Sequence, residues 1–365
     1  MPSSGDATAT ARRRGRRRPA GHPLPTDLAK PAVRRDGAPA KLEPLAPGGE
    51  LIVALRNGKT EHLKAADLKA ALAEPATRLW IDMTEPPAAR VAEVASLLSL
   101  HPLIAEDIAE HNQRAKIEEL DDLVHIVLFA LSYDGDVNSS EIDIVLTQQL
   151  LLTVHAVRFD PRTIQQLRMG VDQLLAHGPD RLLWAIADGI VDGYFPVFDG
   201  LADEIDELQD EVIGNATPET LQRLFGLKRE LLLLRRATSP AREIFGQLTN
   251  RSLPAIRSDN IVYFRDVYDH LIRVTDELDN YRELVAGTLD VYLSTVNNNL
   301  AIIMKRLTGV TVILAGIGAV AGIFGMSEAG TAFRGGEAGG FWIVTLVVVA
   351  LAAATAAILH RIDWI

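Results

Sequence analysis

The side chains in this chain that could handle a charged ligand are mostly carboxylates. Asp266, Asp269 and His270 fall at i, i+3 and i+4, which on a helix is one face. Oxygen donors so placed could hold a hard divalent cation, and a solvated, self-screened face is the plainer reading of the trio alone. Glu106 and Asp107 close the stretch that starts His101-Pro102-Leu103, where an acid-tolerant first helical turn explains them equally well. Asp203, Glu204, Asp206, Glu207, Asp210 and Glu211 form a dense acidic run with an apolar stripe of Leu201, Ile205, Leu208 and Val212, the pattern of an amphipathic helix. Such a run is ordinarily a solvated face, but near a pore mouth it would concentrate cations. Asn297, Asn298 and Asn299 are either a polar patch or a vestibule that solvates an ion with side-chain carbonyls.

Other chemistries find no support. The chain has no cysteine, which excludes disulfides and thiolate metal sites. It carries no phosphate loop, nucleophile elbow or zinc-protease spacing. Gly316-Ile317-Gly318 lies inside an apolar run with no strand before it, so it is not a dinucleotide loop. The expectation is a protein that is not an enzyme.

The elements that must position these residues begin with the C-terminal end. Leu307 to Phe324 and Phe341 to Leu359 are uncharged apolar runs, each near the ~20 residues that cross a bilayer as a helix. Lys305 and Arg306 precede the first run, and His360 and Arg361 follow the second, while the Gly-rich link between them has Arg334 against Glu328 and Glu337. The positive-inside rule puts both termini in the cytoplasm and the link outside. Two helices from one chain cannot enclose an ion path, so a pore needs several copies around an axis. Gly318 and Gly322 have the small-xxx-small spacing of closely packed membrane helices, which suits an inner first span and a lipid-facing second one.

Upstream, apolar residues recur in steps of three and four from Phe264 through Val267, Leu271, Val274, Leu278, Tyr281, Val285, Leu289, Tyr292, Val296 and Leu300 to Ile303, with no proline after Pro254. This predicts one helix from about 257 through Phe324, with other copies of itself as its natural partners. Residues 49–160 mix strands at 51–55, 79–82, 124–131, 142–146 and 150–155 with helices at 88–99 and 102–112, and residues 179–254 read as helical throughout. The chain's net charge is −11; residues 1–48 hold ten Lys and Arg against four acids, a net +6, leaving −17 for the rest. An acidic body argues against nucleic acid as a partner. The Pro-, Ala-, Gly- and Arg-rich tail reads as a disordered, solvated segment, with anionic lipid headgroups as the alternative contact.

Several stretches together resemble the CorA family of divalent-cation channels, over about residues 50–365. They are His101-Pro102-Leu103 with Glu106-Asp107; Gln113-Arg114-Ala115-Lys116-Ile117-Glu118; Asp188-Gly189-Ile190-Val191-Asp192-Gly193-Tyr194-Phe195-Pro196; and Leu227-Lys228-Arg229-Glu230-Leu231. The densest is Tyr263-Phe264-Arg265-Asp266-Val267-Tyr268-Asp269-His270, continuing through Asp290-Val291-Tyr292-Leu293-Ser294 and Met304-Lys305-Arg306-Leu307-Thr308. The family's Gly-Met-Asn after the first span is matched by Gly325 and Met326, but Ser327 replaces the Asn. A serine ring would be wider and a weaker outer-shell ligand than an amide ring. The outer link lacks the Met-Pro-Glu run of many relatives, Gly316 stands where they often have Pro, and Ala301 where some place a pore-facing Asn.

The resemblance implies an α+β cytosolic domain with a mixed sheet flanked by helices, a long stalk helix and two C-terminal transmembrane helices, assembled as a homopentameric funnel. The expected layout is a tail over 1–48, the α/β domain over 49–178, a helical part over 179–254, the stalk over 255–306, transmembrane helices over 307–324 and 341–360 about an external loop over 325–340, and a cytosolic end at 361–365. Partners are further copies, the bilayer of the inner (plasma) membrane and divalent cations. The resemblance also implies an inter-subunit regulatory Mg²⁺ site where Glu106 and Asp107 of one copy approach Asp266 of the next, with Asp188 nearby. Gly325, Met326 and Ser327 would form the pore entrance. Asn298, Ala301, Met304, Leu307, Ala315 and Gly318 would line or gate the path, Met304 and Leu307 as an apolar constriction. The implied activity is Mg²⁺ influx gated by internal Mg²⁺. The alternatives are transport of Zn²⁺, Co²⁺ or Ni²⁺ on the same fold, or a membrane-tethered cation sensor that does not conduct.

Overall fold

The computed structural model of the chain describes residues 45–120, 122–168, 170–326 and 336–361. Most of the basic tail, Ser327, the centre of the outer link and residues 362–365 lie outside them. A seven-stranded sheet organises the N-terminal half. Its strands are β1 (Glu50–Arg56), β2 (Lys59–Leu63), β3 (Arg78–Thr84), β4 (Lys116–Leu120), β5 (Leu123–Tyr133), β6 (Val137–Leu146) and β7 (Leu150–His155), in the order β2-β1-β3-β7-β6-β5-β4. The β3–β7 pair is parallel and the other pairs antiparallel, so the sheet is mixed.

Both faces of the central strands are apolar because both are covered. Successive side chains alternate across a strand: Ile52, Ala54, Leu79, Ile81, Met83, Leu150, Leu152 and Val154 pack on one face, and Val53, Leu55, Trp80, Ile142, Ile144, Leu146 and Leu151 on the other. The first face is covered by α1 (Leu68–Leu72), α2 (Ala88–Leu97) and α3 (Pro102–Glu110). The second carries the helical half: short α4 (Gln165–Arg168) and α5 (Val171–Ala176), then α6 (Pro179–Asp192), α7 (Tyr194–Asn215), α8 (Pro218–Asn250) and α9 (Ile261–Met326). A last helix, α10, spans Gly336–Arg361.

The five expected strands are present, and two more flank them. β2 and β4 escape a hydrophobic reading because they are edge strands, and edges are kept polar and charged to discourage pairing with other chains. β2 reads Lys-Thr-Glu-His-Leu and β4 Lys-Ile-Glu-Glu-Leu. β2 follows β1 through Asn57-Gly58, with φ of 52° and 75°, a two-residue hairpin turn that needs left-handed backbone at both positions. The region expected to be helical throughout over 179–254 breaks at Gly193 and again at Ala216-Thr217, where Thr217 caps α8 by accepting from Thr220 N. The acidic run lies on α7, and its stripe of Leu201, Ile205, Leu208 and Val212 is buried.

The long helix begins at Ile261, not near 257, because Ser258–Asn260 form a separate 3₁₀ turn. The Asn260 amide donates to Asp180 Oδ2 at 2.7 Å and holds that turn against the start of α6. At 1.5 Å per residue α9 is about 100 Å long. Its seam needs other copies over only part of that length. Phe264, Val267, Leu271, Val274, Leu278, Val285 and Tyr292 are buried in the chain's own core with α7 and α8. Beyond Tyr292 the cover ends: Leu300, Ile303, Met304 and Leu307 are all more than half exposed. Among the described residues α9 is the helix long and apolar enough to cross a membrane, and its apolar window is almost wholly uncovered; α10 has a shorter apolar stretch from Thr345 to Arg361.

Candidate cation sites

Asp188 is on the face of α6 that meets α9 and the segment before α5. Gly189 makes the close approach possible, since a Cβ there would stand 2.5 Å from Ile164 Cγ2. Two residues on from Ile164, Gln166 Nε2 donates to Asp188 Oδ2 at 2.7 Å. Asp192 lies one turn further along α6, and His270 reaches across from α9, its Nδ1 3.8 Å from Asp192 Oδ1. Ligand atoms of Asp188, Asp192 and His270 all lie within 4.8 Å of one another. Burial, then the charge of Asp192, with a smaller push from Asp266, raises the Asp188 carboxyl to about 6; His270 and Gln166 oppose the shift. Two carboxylates that repel each other beside an imidazole form a pocket of unmet negative charge near neutral pH, which a cation would relieve.

The other predicted acids are distributed differently. Asp266 is exposed on α9, close enough to Asp188 to act on it electrostatically. Asp269 is exposed as well and stands outside the trio. Glu106 and Asp107 are in the second turn of α3, not its first, because the helix starts at Pro102 behind the His101 cap; attraction to the helix N-terminus therefore does not explain them. Glu106 is exposed, and Asp107 pairs with Lys116 Nζ at 2.6 Å. Within one chain Asp107 groups with Glu118 and His125, separately from the Asp188 trio. Asp192 was legible as the i+4 partner of Asp188; the contact of His270 with both depends on α6 packing against α9, which no local pattern encodes.

Along the candidate ion path, Asn297, Asn298, Asn299 and Ala301 are exposed, as are Met304, at 59%, and Leu307, at 58%. Ala315 and Gly318 are exposed too. The contact of α9 with α10 uses a different face, where Ile313, Gly316 and Val320 meet Val348, Leu351 and Thr355. Nothing lies within 4 Å of a Cβ added at Gly318 or Gly322, so the chain itself leaves that small-residue face open. Gly325 and Met326 are in the last turn of α9, and Ser327 lies outside the described residues.

With the mixed sheet, the long helix and these acidic clusters described, comparison with known proteins places the chain. The CorA-like Mg²⁺ transporter family matches residues 76–361, and the chain belongs to that family. It is 35% identical over 275 residues to the cobalt/magnesium transport protein CorA of Thermotoga maritima, covering 73% of this chain and 78% of the relative. It is 25% identical over 296 residues to the zinc transport protein ZntB of Yersinia pseudotuberculosis, covering 79% and 87%. Its fold superposes on the CorA magnesium transporter of Methanocaldococcus jannaschii with a TM-score of 0.70 at 22% identity, covering 87% of this chain and 98% of that one. The family is one of transporters, and the chain is not an enzyme.

Proposed function

We propose that the chain forms a homo-oligomeric membrane channel, a pentamer by family resemblance, that passes divalent metal cations, Mg²⁺ foremost, inward down the membrane potential. A single observation carries this reading. The apolar half of α9 is uncovered by its own chain, while the apolar seam of the first half is buried in the chain's own core. A lipid bilayer and neighbouring copies are what would cover it. The Thermotoga relative, named for cobalt and magnesium transport, supports Mg²⁺ as cargo. A divalent ion gains about 4.6 kcal/mol per 100 mV, twice the value for a single charge. Mg²⁺ gives up its water reluctantly and would enter hydrated, guided by outer-shell oxygens. Met304 and Leu307 would close the path by dewetting.

Gating would use the acids. Burial and then the charge of Asp192 raise the Asp188 carboxyl, and Asp266, Glu106 and Asp107 face solvent or pair with lysine within one chain. Internal Mg²⁺ bridging Glu106 and Asp107 of one copy to Asp266 of the next, with Asp188 behind, would favour the closed funnel and give negative feedback by population shift. Both termini would be cytoplasmic, in the inner membrane.

A second reading is a Zn²⁺, Co²⁺ or Ni²⁺ carrier of the same fold, favoured by Ser327 and by the zinc transport relative. Uptake of each cation into vesicles holding the purified protein, with an imposed inside-negative potential, separates the two. Mg²⁺ uptake that rises with the potential supports the channel; Zn²⁺ uptake without Mg²⁺ supports the second reading; no uptake of any cation refutes both and leaves a tethered sensor.

A further inference from the structure

A polar stripe crosses the sheet face beneath α3, on the side otherwise filled by aliphatic residues. Asp143 of β6 is at its centre, wholly buried. Its Oδ1 accepts from His125 Nε2 at 3.0 Å. Its Oδ2 has no hydrogen-bond partner. His111 compensates that oxygen as an ion pair when its ring is protonated; a cation bound there would do the same with the ring neutral, held by two further ligand-bearing side chains. His111 Nδ1 is 3.3 Å from Oδ2. Glu141, two residues back on the same face of β6, is fixed by Gln113 N donating to Oε1 at 3.1 Å. His111 is the left-handed cap of α3, with φ of 46°.

We propose that His111, Glu141 and Asp143 form a metal site within one chain for a divalent cation of the Zn²⁺ or Co²⁺ type, separate from the carboxylate sites invoked for Mg²⁺ gating. Their ligand atoms all lie within 4.8 Å of one another, a small side-chain movement from the ~3.4 Å spacing of donors held tetrahedrally at ~2.1 Å around zinc. One imidazole with two carboxylates suits a borderline cation better than Mg²⁺, which takes oxygen. The outer support is already in place, since His125 holds Asp143 and the Gln113 amide holds Glu141. His111 is a third exposed on its side chain, so the fourth position opens to solvent. The adjacent group of Asp107, Glu118 and His125 is a poorer candidate, because Lys116 already places its ammonium between Asp107 and Glu118, at 2.6 and 3.1 Å. Filling the His111 site would tie the end of α3 to β6 and so restrain the helix that carries Glu106 and Asp107. It does not depend on the transport reading.

The test is Co²⁺ titration of the metal-stripped, full-length protein in detergent with Mg²⁺ in large excess, read by visible d–d absorption and by bound metal per chain. We expect one Mg²⁺-resistant Co²⁺ per chain, displaced by Zn²⁺. His111→Gln and Asp143→Asn should each weaken it at least ~10-fold and remove the absorption, and His270→Gln, which removes the imidazole of the Asp188 group, should leave both unchanged. His111 is on a partly exposed cap, so its variant decides the matter even if the buried Asp143 variant folds poorly. Absence of Mg²⁺-resistant Co²⁺ in the unmodified protein, or its full retention by His111→Gln, overturns the proposal, whatever cation the channel carries.

Discussion

Replacing Asp188 with Asn should stabilise the cation-free protein and at the same time remove most of its response to Mg²⁺. The substitution keeps the side chain's shape and removes its charge. The folded chain holds this carboxyl at about 6 against an ordinary 3.8, through burial first and then repulsion from Asp192 and Asp266, offset in part by His270 and Gln166. The sign follows from linkage. Below 3.8 the group is protonated in both folded and unfolded chains and carries no penalty. Between 3.8 and about 6 the unfolded chain releases its proton while the folded chain keeps it, so stability falls as pH rises; above about 6 the deficit is constant. Its size is roughly 3 kcal/mol at 1.36 kcal/mol per pKa unit, with little screening because Asp188 is 8% exposed. With EDTA at pH 7.5 the D188N protein should therefore unfold at a higher temperature than the unmodified chain, and near pH 4 the two should converge. Mg²⁺ at a hundredfold over its Kd adds about 2.7 kcal/mol to a protein that binds it only when folded, so it should lift the unmodified chain while D188N gains much less. Thermal unfolding of the solubilised full chain, followed by tryptophan fluorescence, measures both. A lower unfolding temperature for D188N in EDTA, or an equal Mg²⁺-induced shift in both proteins, would refute the reasoning.

Three further outcomes are expected. Asp266→Lys reverses the charge that acts on Asp188 from α9 and should leave vesicle Mg²⁺ uptake insensitive to internal Mg²⁺; inhibition at the unmodified concentration would exclude Asp266 from the gate. Ser327→Asn places an amide at the proposed pore entrance and should raise the ratio of Mg²⁺ to Zn²⁺ uptake, whereas conduction that appears only in this variant would mark the natural chain as a sensor. Glu230, raised to about 7 by burial and then by Glu204 and Asp136, weakens the fold as pH climbs from 4.5 through about 7. Glu230→Gln should raise the unfolding temperature at pH 8 and leave it unchanged at pH 4.5; an unchanged value at pH 8 would show that the carboxyl is not strained.

Much of the architecture is legible in the sequence because it follows from burial. The central strands are short apolar runs with turns on either side, and α7 and α9 announce themselves by stripes at steps of three and four. Two kinds of feature are not. Edge strands such as Lys59–Leu63 are polar by necessity, so only the Asn57-Gly58 turn could have exposed that hairpin. Sites assembled from distant segments leave no local pattern: Asp188 meets His270 because α6 packs against α9, and His111, His125 and Asp143 come from a helix cap and two strands. One signal for the latter was present. His125 sits in Val124-His125-Ile126-Val127-Leu128 and Asp143 in Ile142-Asp143-Ile144, and a polar residue in a strand buried on both faces requires a buried partner. Glu106 and Asp107 are not first-turn acids: α3 starts at Pro102, as the proline at its first helical position signals, so they fall in its second turn.

The central claim is that several copies pack the bare half of α9 around a path for metal ions. The chain has no cysteine, so Met304→Cys introduces a single thiol without background. Mg²⁺ uptake by vesicles carrying the M304C protein should be blocked by a small, charged thiol reagent, and oxidation should link that cysteine to the same residue of a neighbouring copy. Uptake that persists at full rate after complete labelling of the thiol would contradict a path along this helix.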